Sequence, residues 1–301
     1  MSHPSQTSAR AELGRFAGLF RAGSARSYPT VLSLALIAPL AAALGAGFIY
    51  PIARLVALSV ADGTLEQYRR IFQEPLYLDV LTSTVTVALI VTAFSLLLGF
   101  PVAYFMTRLK TTLAIVVAAC VFIPLWTSIL IRSYAWIVLL QRNGIVNTFL
   151  MTIGITDAPL KLIYTQGAVI LAMTHVLMPF MILPIYSTLR TLPPDYLRAA
   201  NNLGAGPFRA FIEVTLPLSL PGIFAGSVMC FVLALGFYIT PALVGGPGSM
   251  MMATLIGQQT IVLLDWPFAA ALSTVLLSMT LLFVLAFRKA LSVSKGLNGV
   301  H

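Results

Sequence analysis

"DYLRAANNLGAGPFRAFIEVTLPLSLPG", residues 195–222, is a polar stretch punctuated by glycine and proline between two long apolar runs. Pro193 and Pro194 stop the run before it, because proline cannot continue an α-helix. Asp195 is placed to cap a new helix. Tyr196, Ala199, Ala200 and Leu203 then fall at i, i+3, i+4 and i+7, one face of a short helix. The other face carries Asp195, Arg198, Asn201 and Asn202. Gly204 follows, the residue that most easily takes positive φ at a helix end. Gly206–Pro207 restarts the chain with proline at the first helical position, and Phe208, Phe211 and Ile212 supply an apolar side. "TLPLSLPG" is expected to end this second short helix before the next span. A narrow face of small residues between two enforced turns suits insertion into a partner's groove. A helix lying on a bilayer would carry a broader apolar face and more basic residues.

The rest of the chain explains why such a stretch stands out. Of 301 residues, 59% are hydrophobic and only 9% charged. Soluble domains carry about a quarter charged residues, and a globule of this size still needs a solvated surface. The fold class expected is an all-α protein that crosses a membrane several times. A helix needs about 20 apolar residues to cross the hydrocarbon. Six runs qualify: 31–52, 80–106, 113–131 with an extension through Tyr134 to Leu140, 167–189, 218–243 and 267–287. They are too long and too continuous for the strands of a β-barrel. The first run exceeds the h-region of a signal peptide, about 7–15 residues, so an uncleaved helix is expected. This divides the chain into an N-terminal tail over 1–29, a transmembrane domain over 30–290 with its polar loop at 193–217, and a C-terminal tail over 291–301.

Orientation follows from Lys and Arg, which concentrate on the cytoplasmic side. The N-terminal tail holds Arg10, Arg15, Arg21 and Arg26. The loops after the second and fourth spans hold Arg108, Lys110, Arg190, Arg198 and Arg209, and the C-terminal tail holds Arg288, Lys289 and Lys295. The opposite loops hold only Arg69, Arg70, Arg142 and Lys161. Both termini and the 195–222 stretch are therefore expected in the cytoplasm, which also accounts for the net charge of +9. Residues 61–79 and 141–166 become outer loops, the second turning at "QRNG". Residues 244–266 mix glycine with apolar residues, as in a re-entrant or interfacial segment.

Several chemistries find no support. No GxxxxGK[ST] phosphate cradle, HExxH, GxSxG or Cys/His zinc spacing occurs. No metal site, bound cofactor or catalytic set is expected in this chain. Cys120 and Cys230 both sit in apolar runs and read as small buried residues. His175 stands within the fourth span without an acidic neighbour at helical spacing, so a packed histidine is expected rather than a proton relay. No acid falls near the middle of a span, where ion-coupled carriers place ionisable groups. That argues against a self-contained carrier and points to a partner as the source of energy. Trp126, Arg132, Tyr134 and Trp136 cluster near the outer end of the third span. They fit an interfacial aromatic belt with Arg132 reaching lipid phosphates, or an outer gate touching an amine by cation–π contact. Gly222 and Gly226 form a GxxxG that favours close helix packing, within the subunit or between subunits.

The spacing Ala199–Ala200, three residues, Gly204, nine residues, Val214, one residue, Leu216–Pro217 resembles the "EAA" loop of ABC importer permeases. Val214 stands where the pattern has Ile, and Arg198 where it has Glu, a reversal of charge. "TLEQYRRIFQEPLYLDVLTST" (64–84), "FIPLWTSILIRSYAWIVLLQRNGIVN" (122–147) and "YITPALVGGPGSMMMATLIGQQ" (238–259) are similar to the spermidine/putrescine-type permeases of that superfamily. The resemblance implies a type I ABC importer permease fold with a coupling helix between the fourth and fifth spans. It implies that Tyr196, Arg198, Ala199, Ala200, Leu203, Gly204, Leu216 and Pro217 serve coupling to an ATPase. The implied partners are a second permease, homologous or identical, two copies of a cytoplasmic ATPase that bind ATP and Mg²⁺, and a soluble substrate-binding protein. The implied cargo is a polyamine, with an amino-acid derivative, an opine or an anion as alternatives.

Overall fold

A computed structural model describes residues 30–61 and 63–297, with side chains over 34–61 and 63–289. No strand occurs among the described residues. The first helix among the described residues, α1 (Thr30–Ser59), covers the first expected run and extends beyond it. The packing of the chain divides at Arg54 and Leu55 into two units. In the first unit, Leu34, Leu40 and Phe48 expose their side chains, as expected of an apolar helix whose solvent is lipid. The N-terminal tail expected over 1–29, with its four arginines, lies outside the described residues.

The second unit begins within α1, and its first complete helix lies in what reads from sequence as an outer loop. α2 (Glu66–Gln73) is strongly one-sided and buries Ile71. Its Arg70 pairs with Glu74 at 3.6 Å and with Asp265 at 3.3 Å, and stacks over the Phe268 ring at 4.2 Å. That one guanidinium therefore holds the loop to the start of the last helix. α3 (Pro75–Arg108), α7 (Gln166–Thr191) and α9 (Pro207–Leu235) pack on one another and form the centre of the unit. Val87, Val91, Met173, Leu177, Met181 and Phe231 are all buried there. The buried hydroxyls of Thr84, Thr92 and Thr174 donate to the carbonyls of Val80, Ala88 and Ile170, each at 2.7 Å. Each hydroxyl is thus satisfied within its own helix, as an apolar environment requires.

α7 matches the expected fourth span almost residue for residue. α12 (Trp266–Leu297) matches the sixth at its start and continues as helix through residues assigned from sequence to the C-terminal tail. Two spans differ from expectation. The third is broken: α4 (Thr111–Trp126) ends at Thr127–Ser128, and the chain resumes as α5 (Ile129–Leu140) and α6 (Ile145–Thr152) after a bend of 102°. Thr127 and Ser128 are both extended, and Pro124 in the last turn of α4 removes a backbone donor just before the break. α4 alone rises about 24 Å at 1.5 Å per residue, short of a hydrocarbon core of about 30 Å. By length and composition, five helices can cross a membrane, or up to six if the bent pair counts as one.

The fifth span is shifted. It stops at Leu235 rather than 243, and α10 (Ile239–Val244) follows Gly236 as a separate turn of helix. At its other end "TLPLSLPG" does not end a short helix. The chain runs from Pro207 through a π turn at Phe211–Thr215 into the span. Leu216 N–H donates to Phe211 O, five residues back. The wider turn spans Glu213, whose carbonyl the ring of Pro217 would otherwise meet.

Residues 244–266 form a short 3₁₀ turn at Pro247–Ser249 and then α11 (Met252–Ile261). Met251 and Met252 are fully buried, and Met252 N–H donates to Thr84 Oγ1 at 2.8 Å. This segment is part of the fold, packed against α3 and α12.

Candidate functional site

The polar stretch forms α8 (Pro194–Asn202). Pro193 is its N-cap and Pro194 its first helical residue, so Asp195 is not the cap. A proline at the first position is pre-set for helix, which moves the start one residue earlier than the Asp195 reading. Asp195 instead accepts from Arg198 Nη1 at 3.4 Å on an exposed surface. The far end closes on Gly204, at φ +83°. Leu203 N–H donates to Ala199 O, Gly204 N–H to Asn201 O and Ala205 N–H to Ala200 O, at 3.0–3.1 Å. The last of these bonds, six residues to one, is the mark of a glycine-terminated helix.

No residue of α8 is buried. Tyr196 and Ala199 are exposed, Ala200 is half-buried, and Leu203 is 89% exposed. Phe208, just beyond the second turn, is 76% exposed. An apolar ridge therefore stands free at the end of the helical unit. The loop beneath it is anchored. Phe211 packs edge-on against Phe100 and Tyr104 of α3, with ring centroids 5.8 and 5.3 Å away. Phe211 belongs to the apolar face expected from sequence, and its partners lie about a hundred residues away, beyond the reach of any spacing rule. Leu216 is half-buried and Pro217 exposed, immediately after the π turn.

Gly222 and Gly226 lie on the buried side of α9, against α7. A Cβ on Gly222 would meet Thr188 Oγ1 at 2.6 Å and Pro184 O at 2.7 Å. A Cβ on Gly226 would meet Met181 Sδ at 2.8 Å. The contact lies within the subunit.

The aromatic residues of the third span do not form one cluster. Trp126 ends α4 and is 91% exposed, on the far side of the break from the others. Tyr134 is exposed as well. Trp136 is half-buried, and its Nε1–H donates to His175 Nδ1 at 3.4 Å, the rings meeting edge-on at 5.7 Å. His175 is thus packed against a tryptophan. Arg132, one turn before Trp136, is half-buried, and its Nε has no hydrogen-bond partner. Next to it Ser133 and Thr240 share a hydrogen bond of 3.0 Å that ties α5 to α10. Cys230 is buried as expected, but Cys120 is exposed, because α4 buries none of its side chains. Among the described residues no three His, Cys, Asp or Glu side chains gather to hold a metal.

Residues 81–291 match the family described as "Binding-protein-dependent transport system inner membrane component". The chain is 34% identical over 238 residues to the spermidine/putrescine transport system permease protein PotB of Salmonella typhimurium, covering 79% of this chain and 83% of that protein. It is 36% identical over 241 residues to the inner membrane ABC transporter permease protein YdcU of Escherichia coli, covering 76% of each. Among solved structures, a bacterial alginate ABC transporter in complex with its oligosaccharide-bound periplasmic protein has a chain that superposes with a TM-score of 0.64 at 18% identity, over 93% of this chain and 94% of that one. A chain of the inward-facing MetNI methionine ABC transporter superposes with a TM-score of 0.55 at 19% identity, over 73% of this chain and 98% of that one. The chain belongs to the binding-protein-dependent transport system inner membrane components, as a non-catalytic permease subunit of an ABC importer in the inner membrane.

Proposed function

We propose that this permease imports a polyamine delivered by a soluble binding protein, and that α8 is the coupling helix on which the ATPase acts. This reading counts α4 to α6 as one bent span, six in all, with both termini and α8 in the cytoplasm, and the distribution of Lys and Arg along the sequence supports it. A second permease, homologous or identical, completes the pathway, and two ATPase copies sit beneath the pair. The observation that carries the reading is the free ridge of Tyr196, Ala199 and Leu203, with Ala200 at its edge and Gly204 closing the helix at positive φ.

ATP would close the ATPase pair and move both coupling helices. Phe211 on Phe100 and Tyr104 passes that movement to α3, and the close contact of Gly222 and Gly226 makes α9 and α7 move as one body. The permease halves then rock between inward- and outward-open states around a central path. The polyamine assignment is supported by the relatives named for spermidine and putrescine. A second reading, an anionic or zwitterionic cargo, is favoured by Arg132, whose half-buried guanidinium would repel a polycation in the path but attract a carboxylate.

Reconstitution of the complete complex in liposomes tests both. Under the first reading, the binding protein and spermidine together stimulate ATP hydrolysis and uptake, and Gly204→Val keeps hydrolysis but loses uptake. Wild-type uptake in properly assembled Gly204→Val would refute the coupling role. Stimulation by a carboxylate and none by amines would move the cargo to the second reading.

A further inference from the structure

Behind α8, on the side away from the free ridge, lies a cavity of about 780 Å³. Pro194, Leu197, Arg198 and Asn201 of α8 face it. At 100° per residue these positions point opposite to Tyr196, Ala199 and Leu203, so one helix offers one face to a partner and the other to the cavity. The remaining walls come from the ends of α3 and α7, the start of α4, and Thr215 of the π turn.

Three arginines line this space, Arg108, Arg190 and Arg198, and no carboxylate does. Arg108 is held over the Tyr104 ring at 5.2 Å, and neither Arg108 nor Arg190 has an ion-pair partner among the described residues. Arg198 is the residue that stands where the loop motif has an acid, and its only pairing is the exposed one with Asp195. Thr215, 4% exposed, lines the cavity with a hydroxyl that has no hydrogen-bond partner. Thr107, Thr111 and Asn201 add further polar groups to the lining, and Ile115 and Leu189 form an apolar strip between the span ends. Three arginines, an unpaired buried hydroxyl and an apolar strip, at the ends of α3 and α7 where these apolar helices stop, suit one class of molecule.

We infer that the cavity binds the phosphate headgroup of an anionic phospholipid. Arg108, Arg190 and Arg198 surround the phosphate, an acyl chain runs along Ile115 and Leu189, and the occupied site braces α8 against α3 and α7. Basic pockets between spans on the cytoplasmic face are suited to such headgroups. An acid at position 198 would place a like charge beside the ligand, so the charge reversal acquires a reason. The inference rests on the reading above that puts this end in the cytoplasm.

The test uses the assembled permease–ATPase complex in nanodiscs of phosphatidylcholine, alone or with phosphatidylglycerol. Native mass spectrometry reads the retained phosphatidylglycerol, and hydrolysis stimulated by the binding protein reads coupling. Wild type is expected to retain phosphatidylglycerol and to hydrolyse ATP several-fold faster with it. At about fivefold per arginine, Arg108→Gln with Arg190→Gln should weaken retention about 30-fold. Arg190→Lys, which keeps the charge, should retain the lipid. Millimolar inorganic phosphate in phosphatidylcholine alone should not substitute. Equal retention by wild type and the double variant, full activity with free phosphate, or a cross-link from position 190 to an acidic residue of the ATPase would each overturn the inference. If the double variant does not assemble, the wild-type comparison of the two lipids decides, and equal hydrolysis in both counts against it. Lipid retention without hydrolysis in any lipid would instead count against the importer reading while leaving the lipid site standing.

Discussion

Two glycine positions, 18 residues apart, show two unrelated uses of the same residue. Around Gly222 the space is full: any Cβ would run into the Pro184 carbonyl at 2.7 Å. Around Gly204 it is empty, with nothing within 4 Å of an added Cβ, yet the backbone sits at φ +83°. The first glycine lets two spans touch. The second lets a short helix stop and the chain turn back. The contrast separates a part of the molecule that holds itself together from the exposed part proposed to meet the ATPase.

The largest effect expected is from Gly222→Leu. Overpacking against a backbone carbonyl should cost about 3 kcal/mol and disrupt the contact of α7 with α9. Detergent-solubilised protein should lose its monodisperse fraction, whereas Gly204→Val should keep it. If Gly204→Val aggregates as badly as Gly222→Leu, the distinction between the two regions fails.

Leu203→Ala should leave the fold intact, because the side chain is 89% exposed in the isolated subunit. If the ATPase buries it, the loss is about 2 kcal/mol, or roughly 30-fold in the dissociation constant of the permease–ATPase pair. Titration calorimetry or surface-binding measurements would read this directly, and an unchanged constant would place the ATPase elsewhere. Thr84→Val works on the closed region instead. It strands the buried Met252 N–H, at a cost of about 1–3 kcal/mol, seen as a lower unfolding temperature with unaltered ATPase affinity. Arg198→Ala should have the smallest effect on stability, under about 0.5 kcal/mol, because its pairing with Asp195 joins two exposed side chains.

The same contrast explains what was legible in the sequence. α7 and the start of α12 follow from hydropathy because their bounds coincide with polar punctuation, Thr165–Gln166 and Asp265–Trp266. The end of α8 follows from Gly204 because helix termination is a local matter of backbone geometry. The 102° break after Trp126 was hidden, because hydropathy continues through Ile129–Leu140 and only Pro124 hints at it. The continuous helix from Pro207 was hidden for the opposite reason. "TLPLSLPG" looks like punctuation, and only a π turn lets the helix pass Pro217. Contacts such as Thr84 with Met252 and Phe211 with Tyr104 join distant segments, and no spacing rule reaches them. The opposed faces of α8 were half-visible. The apolar side follows from its period, whereas the cavity that Arg198 lines on the other side is built from the ends of α3 and α7, segments that no spacing rule brings together.

Site-directed cross-linking tests the coupling reading most directly. Cys120 is exposed and would first be replaced by serine, leaving Cys230 buried. Leu203→Cys, in the assembled complex with a short thiol cross-linker, should then give an adduct with the ATPase subunit whose yield changes when ATP binds. A complex that hydrolyses ATP and transports, but in which position 203 stays reactive to solvent and never cross-links to the ATPase, would contradict the assignment of α8 as the coupling helix.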